Sequence, residues 1–147
     1  MNADYEAMLC RLCMLAGVPP AEHAAVVEQQ SMMVNDMAVQ FRLEQWSGFV
    51  RIYVEACRPA PARLPALCQS ILEQQLELPV PFVMLTALDA ASGSLILIGC
   101  APMPSNRGED EELLAFLHVC VDGAALLRRA AESEDDRVTD LTAFHYF

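Results

Sequence analysis

Residues 31–57, SMMVNDMAVQFRLEQWSGFVRIYVEAC, decide the fold, because apolar and polar residues alternate along this stretch and two turn signals interrupt it. Asn35 and Asp36 fit a two-residue hairpin turn, since both residue types tolerate a positive φ. Ser47 and Gly48 fit a second tight turn. The stretch therefore predicts three consecutive antiparallel strands.

Pairing across the two turns predicts one apolar and one polar face. The first turn sets Val34 opposite Met37 and Met32 opposite Val39. The second turn is predicted to set Leu43 opposite Ile52, Phe41 opposite Val54, Val39 opposite Ala56, Glu44 opposite Arg51, Gln40 opposite Glu55 and Arg42 opposite Tyr53. A slip by one residue would exchange the two faces, so this sorting predicts a half-buried meander with a core on one side.

The flanking sequence predicts helices over residues 3–16, 64–77 and 109–131, and a hairpin of strands 82–89 and 94–101. Residues 21–28 are ambiguous between a short turn and an entry strand. The order α-β-β-β-α-β-β-α predicts a single α+β domain over residues 1–131, with an antiparallel twisted sheet packed by helices. Residues 132–147 are predicted to form an acidic, frayed C-terminal tail, whose terminal aromatic residues could dock locally.

The hairpin of residues 82–101 is apolar on both faces. One face is predicted to carry Val83, Leu85, Ala87, Ile96, Ile98 and Cys100, and the other Met84, Leu88, Leu95 and Leu97. Such a hairpin has to be covered on both sides. The chain's own helices can cover one side, and a second subunit is the expected cover of the other.

The net charge of −11 argues against binding of nucleic acid or anionic membranes, because both require a basic surface. The start, MNADYEAM, lacks the features of a signal peptide, and no apolar run is long enough to span a membrane. We therefore expect a bacterial cytoplasmic protein without membrane insertion.

No arrangement of residues in the sequence predicts catalysis. Cys10 and Cys13 have the CxxC spacing, but no second pair accompanies them, so the six cysteines are interpreted as mainly buried thiols. The histidines lack the partners of a nucleophilic triad. The acidic run of residues 109–112 fits an exposed first helical turn better than a metal site. We expect no enzyme activity, no metal and no cofactor.

The order of elements resembles that of the class I type III secretion chaperones, the Tir-chaperone (CesT-like) family. The likeness covers residues 3–131, and no single motif in it is diagnostic. Its parts are YEAMLCRLCMLAG, MAVQFRLEQWSGFVRIYVEAC, LPALCQSILEQQLEL, FVMLTALDAASGSLILIG and EDEELLAFLHVCVDGAALL.

This resemblance implies a homodimer that binds the N-terminal segment of a secreted effector protein and keeps it soluble, partly unfolded and competent for secretion. The expected dimer interface comprises Leu64, Leu67, Cys68, Ile71, Leu72, Leu95 and Leu97. The expected effector contacts are Leu9, Leu12, Met33, Trp46 and Phe49. Met33 is preferred over Met32 and Met37, which lie on the face that is predicted to be the core.

Two alternatives stay open from the sequence. One is a YbjN-like regulatory or protein-binding domain with the same order of elements. The other is a small thiol enzyme that uses one of the six cysteines, which would require an accessible thiol with a lowered pKa.

Overall fold

The computed structural model describes residues 2–75 and 83–133, which form an α+β fold with the predicted order of strands. The elements are α1 (Ala3–Leu15), α2 (His23–Gln29), β1 (Ser31–Val34), β2 (Met37–Glu44), β3 (Phe49–Cys57), α3 (Leu64–Gln75), β4 (Val83–Asp89), β5 (Ser94–Pro102) and α4 (Arg107–Glu132). The predicted tail beyond residue 133 lies outside the described residues, as do residues 76–82.

The five strands form one antiparallel sheet in the order β1-β2-β3-β5-β4, so β1 and β4 are its edges. The ambiguous stretch before β1 is neither a simple turn nor a strand. A 3₁₀ turn over Pro20–Glu22 continues into α2, and Gln30 ends the helix in the left-handed conformation with φ 51°. A left-handed residue of this kind commonly closes a helix.

The first hairpin confirms the predicted turn. Asn35 and Asp36 have φ values of 48° and 62°, the positive values that a two-residue hairpin requires. Val34 lies opposite Met37, and Met32 and Met37 are both buried.

The register predicted for the second hairpin is wrong by two residues. Leu43 lies opposite Val50 rather than Ile52, and Glu44 lies opposite Phe49. The connection is a longer loop, residues 45–48, instead of a two-residue turn at Ser47 and Gly48. Because a shift of two residues preserves the alternation of side chains, the sorting into two faces remains as predicted.

The core lies between the sheet and the helices, with α4 packed on β3 and β5, and α1 packed on α4 and α2. Gly99 of β5 permits the close approach of α4. A Cβ atom at this position would lie 2.5 Å from the Sγ of Cys120 and 3.0 Å from the Cε1 of Phe116. A larger residue would therefore require the side chains of Cys120 and Phe116, or α4 itself, to shift.

The first turn of α4 differs from the exposed acidic turn that we expected. Asn106 caps the helix by accepting a hydrogen bond from the Glu109 N–H at 3.1 Å. Asp110, however, is 2% exposed and accepts from Arg11 at 2.7 Å (Nε) and 3.1 Å (Nη2). This two-bonded ion pair joins α1 to α4 and makes one acidic residue of the run a structural group.

Of the helices in residues 2–75 and 83–133, none is both long enough and apolar enough to cross a membrane.

Candidate functional site

One face of the sheet is accessible, and we call it the open face. Alternate strand residues point toward the helices and are buried; examples are Val39, Val50, Ile52, Val54, Leu95 and Leu97. Their neighbours point the other way, and those whose burial is described are exposed or half-buried, except Ser94 at the start of β5, which is 2% exposed. The open face includes Met33, Ala38, Gln40, Arg42, Phe49, Arg51, Tyr53, Leu85, Ile96 and Ile98.

Apolar side chains are exposed on both edge strands of the sheet, β1 and β4. At the β1 edge, Met33 is 64% exposed. At the β4 edge, Leu85 is 51% exposed on the open face, and Leu88 is 44% exposed on the other face. Each of these side chains is therefore a candidate contact for another protein.

Two clefts meet at Met33 and Ala38. The α4-end cleft, of about 490 Å³, is lined by Met33, Asp36, Ala38, Glu55, Ala56, Cys57, Arg58, Pro59, Ala60, Arg128, Ala131 and Glu132. The α2 cleft, of about 460 Å³, is lined by Ala16, Gly17, Val18, Pro19, Glu22, Ala25, Val26, Gln29, Ser31, Met32, Met33 and Ala38. Met33 therefore stands on the ridge between two concave surfaces, which is a favourable place for contact with an extended segment.

The tip of the second hairpin carries the most exposed aromatic side chain of the described residues. Trp46 is fully exposed, and Phe49 at the start of β3 is 38% exposed. The loop is fixed at its base, because Gly48 accepts a hydrogen bond from the Met103 N–H at 2.9 Å. An indole held in water on a braced hairpin can bury a large apolar area on contact with a partner.

The open face also carries a pair of like charges. Arg42 lies directly opposite Arg51, an arrangement that is unfavourable across strands. Arg51 forms an ion pair with Glu44, whereas no hydrogen bond or ion pair joins Arg42 to another described residue. Burial raises the pKa of Tyr5 to about 12, against a smaller opposing effect of the nearby Arg42. Arg42 is thus a cation available to a carboxylate of a partner. Its position opposite Arg51 follows from the observed register and not from the predicted one.

The structure places the residues of the predicted dimer interface in two different environments. Leu67, Ile71, Leu95 and Leu97 are buried within the single chain. Leu95 and Leu97 point toward the helices because β5 alternates in that sense. Leu64 and Cys68 are partly buried.

Leu72 is 63% exposed and remains accessible. Leu72 of α3 and Leu85 of β4 are therefore two exposed apolar side chains that a second subunit could cover. The sequence grouped Leu85 on one face with Ile98, and the two residues are paired in the sheet, but Leu85 was not included among the interface residues.

Leu9 and Leu12 of α1 were expected to contact the effector. Both are 0% exposed and belong to the core cluster, because the stripe they occupy on α1 faces inward. Neither side chain is accessible at the surface of the single chain. Of the five predicted effector contacts, Met33, Trp46 and Phe49 are accessible.

The cysteines are all free thiols, and Cys13 and Cys120 are buried. Burial raises the pKa of Cys120 to about 12, and it also raises the pKa of Cys13, Cys57 and Cys100. A raised pKa keeps a thiol protonated, which is the opposite of what a nucleophilic thiolate requires. These four positions therefore give no support to the thiol-enzyme alternative.

Within the part of the chain that the structure describes, no group of three or more His, Cys, Asp or Glu side chains is arranged to hold a metal ion.

Comparisons with known proteins identify the fold. No family model matches the sequence, and no curated protein matches it significantly. Among solved structures, a chain in the crystal structure of the ExsC–ExsE complex matches with a TM-score of 0.58 at 12% sequence identity, over 88% of this chain and 96% of that chain. The present chain has the fold of a class I type III secretion chaperone, as the order of elements suggested.

Proposed function

We propose that this protein is a bacterial cytoplasmic chaperone that binds the N-terminal segment of a secreted effector as a homodimer. The observation that carries the proposal is the exposed apolar surface of a chaperone-like sheet, formed by Met33, Phe49 and Leu85 with Trp46 beside it. These residues are among the large apolar side chains that the chain leaves exposed to water, and a partner could bury them.

The shape of this surface favours an extended segment over a folded domain. The β1 strand is an edge of the sheet, and its outer backbone groups can pair with an added strand. The α2 cleft and the α4-end cleft lie on either side of Met33, so side chains of an added segment can enter both. Methionine adapts to different partners because it is unbranched and polarizable.

Charge supports the same proposal. The net charge of −11 keeps a complex soluble even when the bound segment is apolar or basic. Arg42 supplies a local exception on the open face, where it can pair with a carboxylate of the segment. The solved structure with a similar fold is a complex of ExsC with ExsE, which are a type III secretion chaperone and its effector.

Homodimerisation is proposed through α3 and β4. Leu72 and Leu85 are each more than half exposed, and both would be removed from water by a second copy. This leaves the β1 side of the sheet and the hairpin tip for the effector.

Co-expression tests the proposed binding surface. N-terminal fragments of secreted proteins from the same genome are expressed with the wild-type chain, with Met33→Asp, with Phe49→Asp and with the control Met14→Asp. Met14 is 64% exposed, as is Met33, but it belongs to α1 and lines neither cleft.

We expect one fragment to stay soluble and to co-purify with the wild type and with Met14→Asp, but not with the other two variants. If no fragment co-purifies with the wild-type chain, the proposed chaperone activity is refuted. If all folded variants co-purify with the fragment as well as the wild type does, the assignment of Met33 and Phe49 to the binding surface is wrong.

A further inference from the structure

A third cleft adjoins the two clefts that meet at Met33. This cleft, which we call the Arg42 cleft, has a volume of about 290 Å³ and is lined by Gln29, Gln30, Gln40, Phe41, Arg42 and Tyr53. Gln29 at the end of α2 also lines the α2 cleft, and Met33 and Ala38 line both the α2 cleft and the α4-end cleft. The three clefts therefore follow one another along the β1 side of the sheet.

The Arg42 cleft differs in charge from the other two. The lining of the α4-end cleft includes the anions Asp36, Glu55 and Glu132, and the lining of the α2 cleft includes Glu22. Among the described residues that line the Arg42 cleft, the charged one is Arg42, and the others are three glutamines, a phenylalanine and a tyrosine. In a chain of net charge −11, a carboxylate can thus meet a cation here without an acidic side chain in the same lining.

The side chains around Arg42 supply hydrogen-bond donors. The hydroxyl of Tyr5 donates to the Oε1 of Gln30 at 3.3 Å. This bond uses the acceptor atom of the amide and leaves its NH2 group for a bound oxygen atom. Gln29 and Gln40 are exposed, and each carries a further NH2 group. A guanidinium among amide donors favours a carboxylate over a neutral or cationic group.

A bound carboxylate would also relieve an unfavourable contact within the sheet. Arg42 lies directly opposite Arg51. Arg51 has Glu44 as its ion-pair partner, whereas Arg42 has no hydrogen bond or ion pair with another described residue. A carboxylate beside Arg42 therefore offsets the repulsion between the two arginines.

The strand register relates the Arg42 cleft to Met33. Met33 lies opposite Ala38, and Ala38, Gln40 and Arg42 occupy alternate positions of β2 on the open face. Arg42 is four residues beyond Ala38, or about 13 Å at roughly 3.3 Å per residue. An extended segment beside β1 has the same rise and presents every second side chain to the same side. Two of its residues that are four positions apart can thus reach Met33 and Arg42 together.

We propose that the Arg42 cleft binds an Asp or Glu side chain of the extended segment, four positions from the apolar residue that contacts Met33. This inference rests on the proposed function and adds the chemistry of the bound segment to it. The overall charge of −11 disfavours segments that are acidic throughout. A single carboxylate at the Arg42 cleft therefore fixes the register of the segment, while apolar contacts supply most of the affinity.

Selection from a phage-displayed library tests the inference on the full-length protein. The probe is a library of random peptides of about twelve residues, which span roughly 40 Å when extended. It is selected on the wild type, on Arg42→Gln, on Arg42→Lys and on the control Arg107→Gln. Arg107 lines none of the three clefts, and its replacement changes the net charge by the same amount. Thermal unfolding checks that each variant is folded, and Arg42→Gln should lose no stability because it removes a like-charge contact.

We expect the peptides enriched by the wild type to carry Asp or Glu four positions from a large apolar residue. With Arg42→Gln, the frequency of acidic residues at that position should fall about fivefold, while the apolar preference remains. Arg42→Lys, which keeps the charge, and Arg107→Gln should both retain the acidic preference.

The other outcomes overturn the inference. Enriched peptides without an acidic preference show that the Arg42 cleft does not select the segment. An acidic preference that persists in Arg42→Gln assigns it to another cation, and an equal loss in Arg107→Gln assigns it to net charge. Selection of no common sequence by the wild type shows that the adjoining clefts do not hold an extended peptide. The proposed function is judged separately, because a fragment that co-purifies in dependence on Met33 and Phe49 supports it whatever the library selects.

Discussion

At the scale of single residues, a few side chains determine whether the helices and the sheet fit together. Gly99 permits close contact with Cys120, and Asp110 fixes α1 to α4 through Arg11. Each of these groups is buried, and each depends on one specific neighbour. Substitutions there should affect stability, whereas substitutions at Met33 or Trp46 should affect binding alone.

Loss of the ion pair between Arg11 and Asp110 should destabilise the fold. Arg11→Met leaves the buried carboxylate of Asp110 without its two hydrogen bonds, and we expect the free energy of unfolding to fall by about 2–3 kcal/mol. Arg107→Met is the matched control, because the pair of Arg107 with Glu111 is largely exposed and should contribute less than about 0.5 kcal/mol. Urea denaturation measures both, and equal losses would contradict the structural role of Asp110.

Cys120 should make the protein sensitive to alkali. Its pKa is about 12 in the folded chain and 9.0 when unperturbed, so the unfolded state releases the thiol proton first as the pH rises. The contribution of the protonated Cys120 thiol to the free energy of unfolding is complete below pH 9. The free energy of unfolding then falls by about 1.4 kcal/mol per pH unit as the pH rises toward 12. Denaturation at pH 8 and pH 10 should show a smaller loss for Cys120→Ala than for the wild type. An identical loss would indicate that the thiol ionises freely in the folded protein.

At the scale of elements, the alternation of residues in β2 and β3 predicted the faces of the sheet, but not the register of the hairpin. Faces depend only on odd or even position, so an error of two residues at the loop left them correct. Register depends on loop length, and both a two-residue turn at Ser47–Gly48 and the longer loop observed satisfy the local preferences. The unfavourable contact of Arg42 with Arg51 was therefore hidden from the sequence.

Helix burial was predicted less well than strand burial. An apolar stripe on α1 shows that Leu9 and Leu12 face something, but it does not distinguish the chain's own core from a partner. The same limit applies to Leu67 and Ile71 of α3, which the core already covers. The position of Asp110 within a run of acidic residues gave no sign that one of them would be buried, because its partner Arg11 lies at the other end of the chain.

The exposed residues of α3 and β4 should control self-association. We expect the wild type to sediment as a dimer at micromolar concentration, and Leu72→Asp and Leu85→Asp each to weaken the dimer at least about tenfold, or roughly 1.4 kcal/mol. An aspartate at either position would have to be desolvated in an apolar interface. Met14→Asp should sediment as the wild type does. A monomeric wild type, or dimeric Leu72→Asp and Leu85→Asp variants, would contradict this interface.

At the scale of the whole molecule, stability and binding are divided between the two faces of one sheet. The inner face, α1 and α4 hold the core, and the open face with the Trp46 hairpin is left accessible. In the proposed chaperone, a second copy covers the Leu72 and Leu85 region, and an extended segment follows the β1 side of the sheet. The segment would become ordered only on binding, which buries apolar surface from both molecules.

The heat capacity of binding tests this account most directly. Calorimetric titration of the wild-type protein with the N-terminal fragment of its secreted partner, repeated at several temperatures, gives the heat-capacity change. We predict saturable binding with a strongly negative heat-capacity change, because coupled ordering and binding bury on the order of 1,000–3,000 Å². The account is contradicted if no N-terminal fragment binds at any temperature, or if binding occurs with a heat-capacity change near zero.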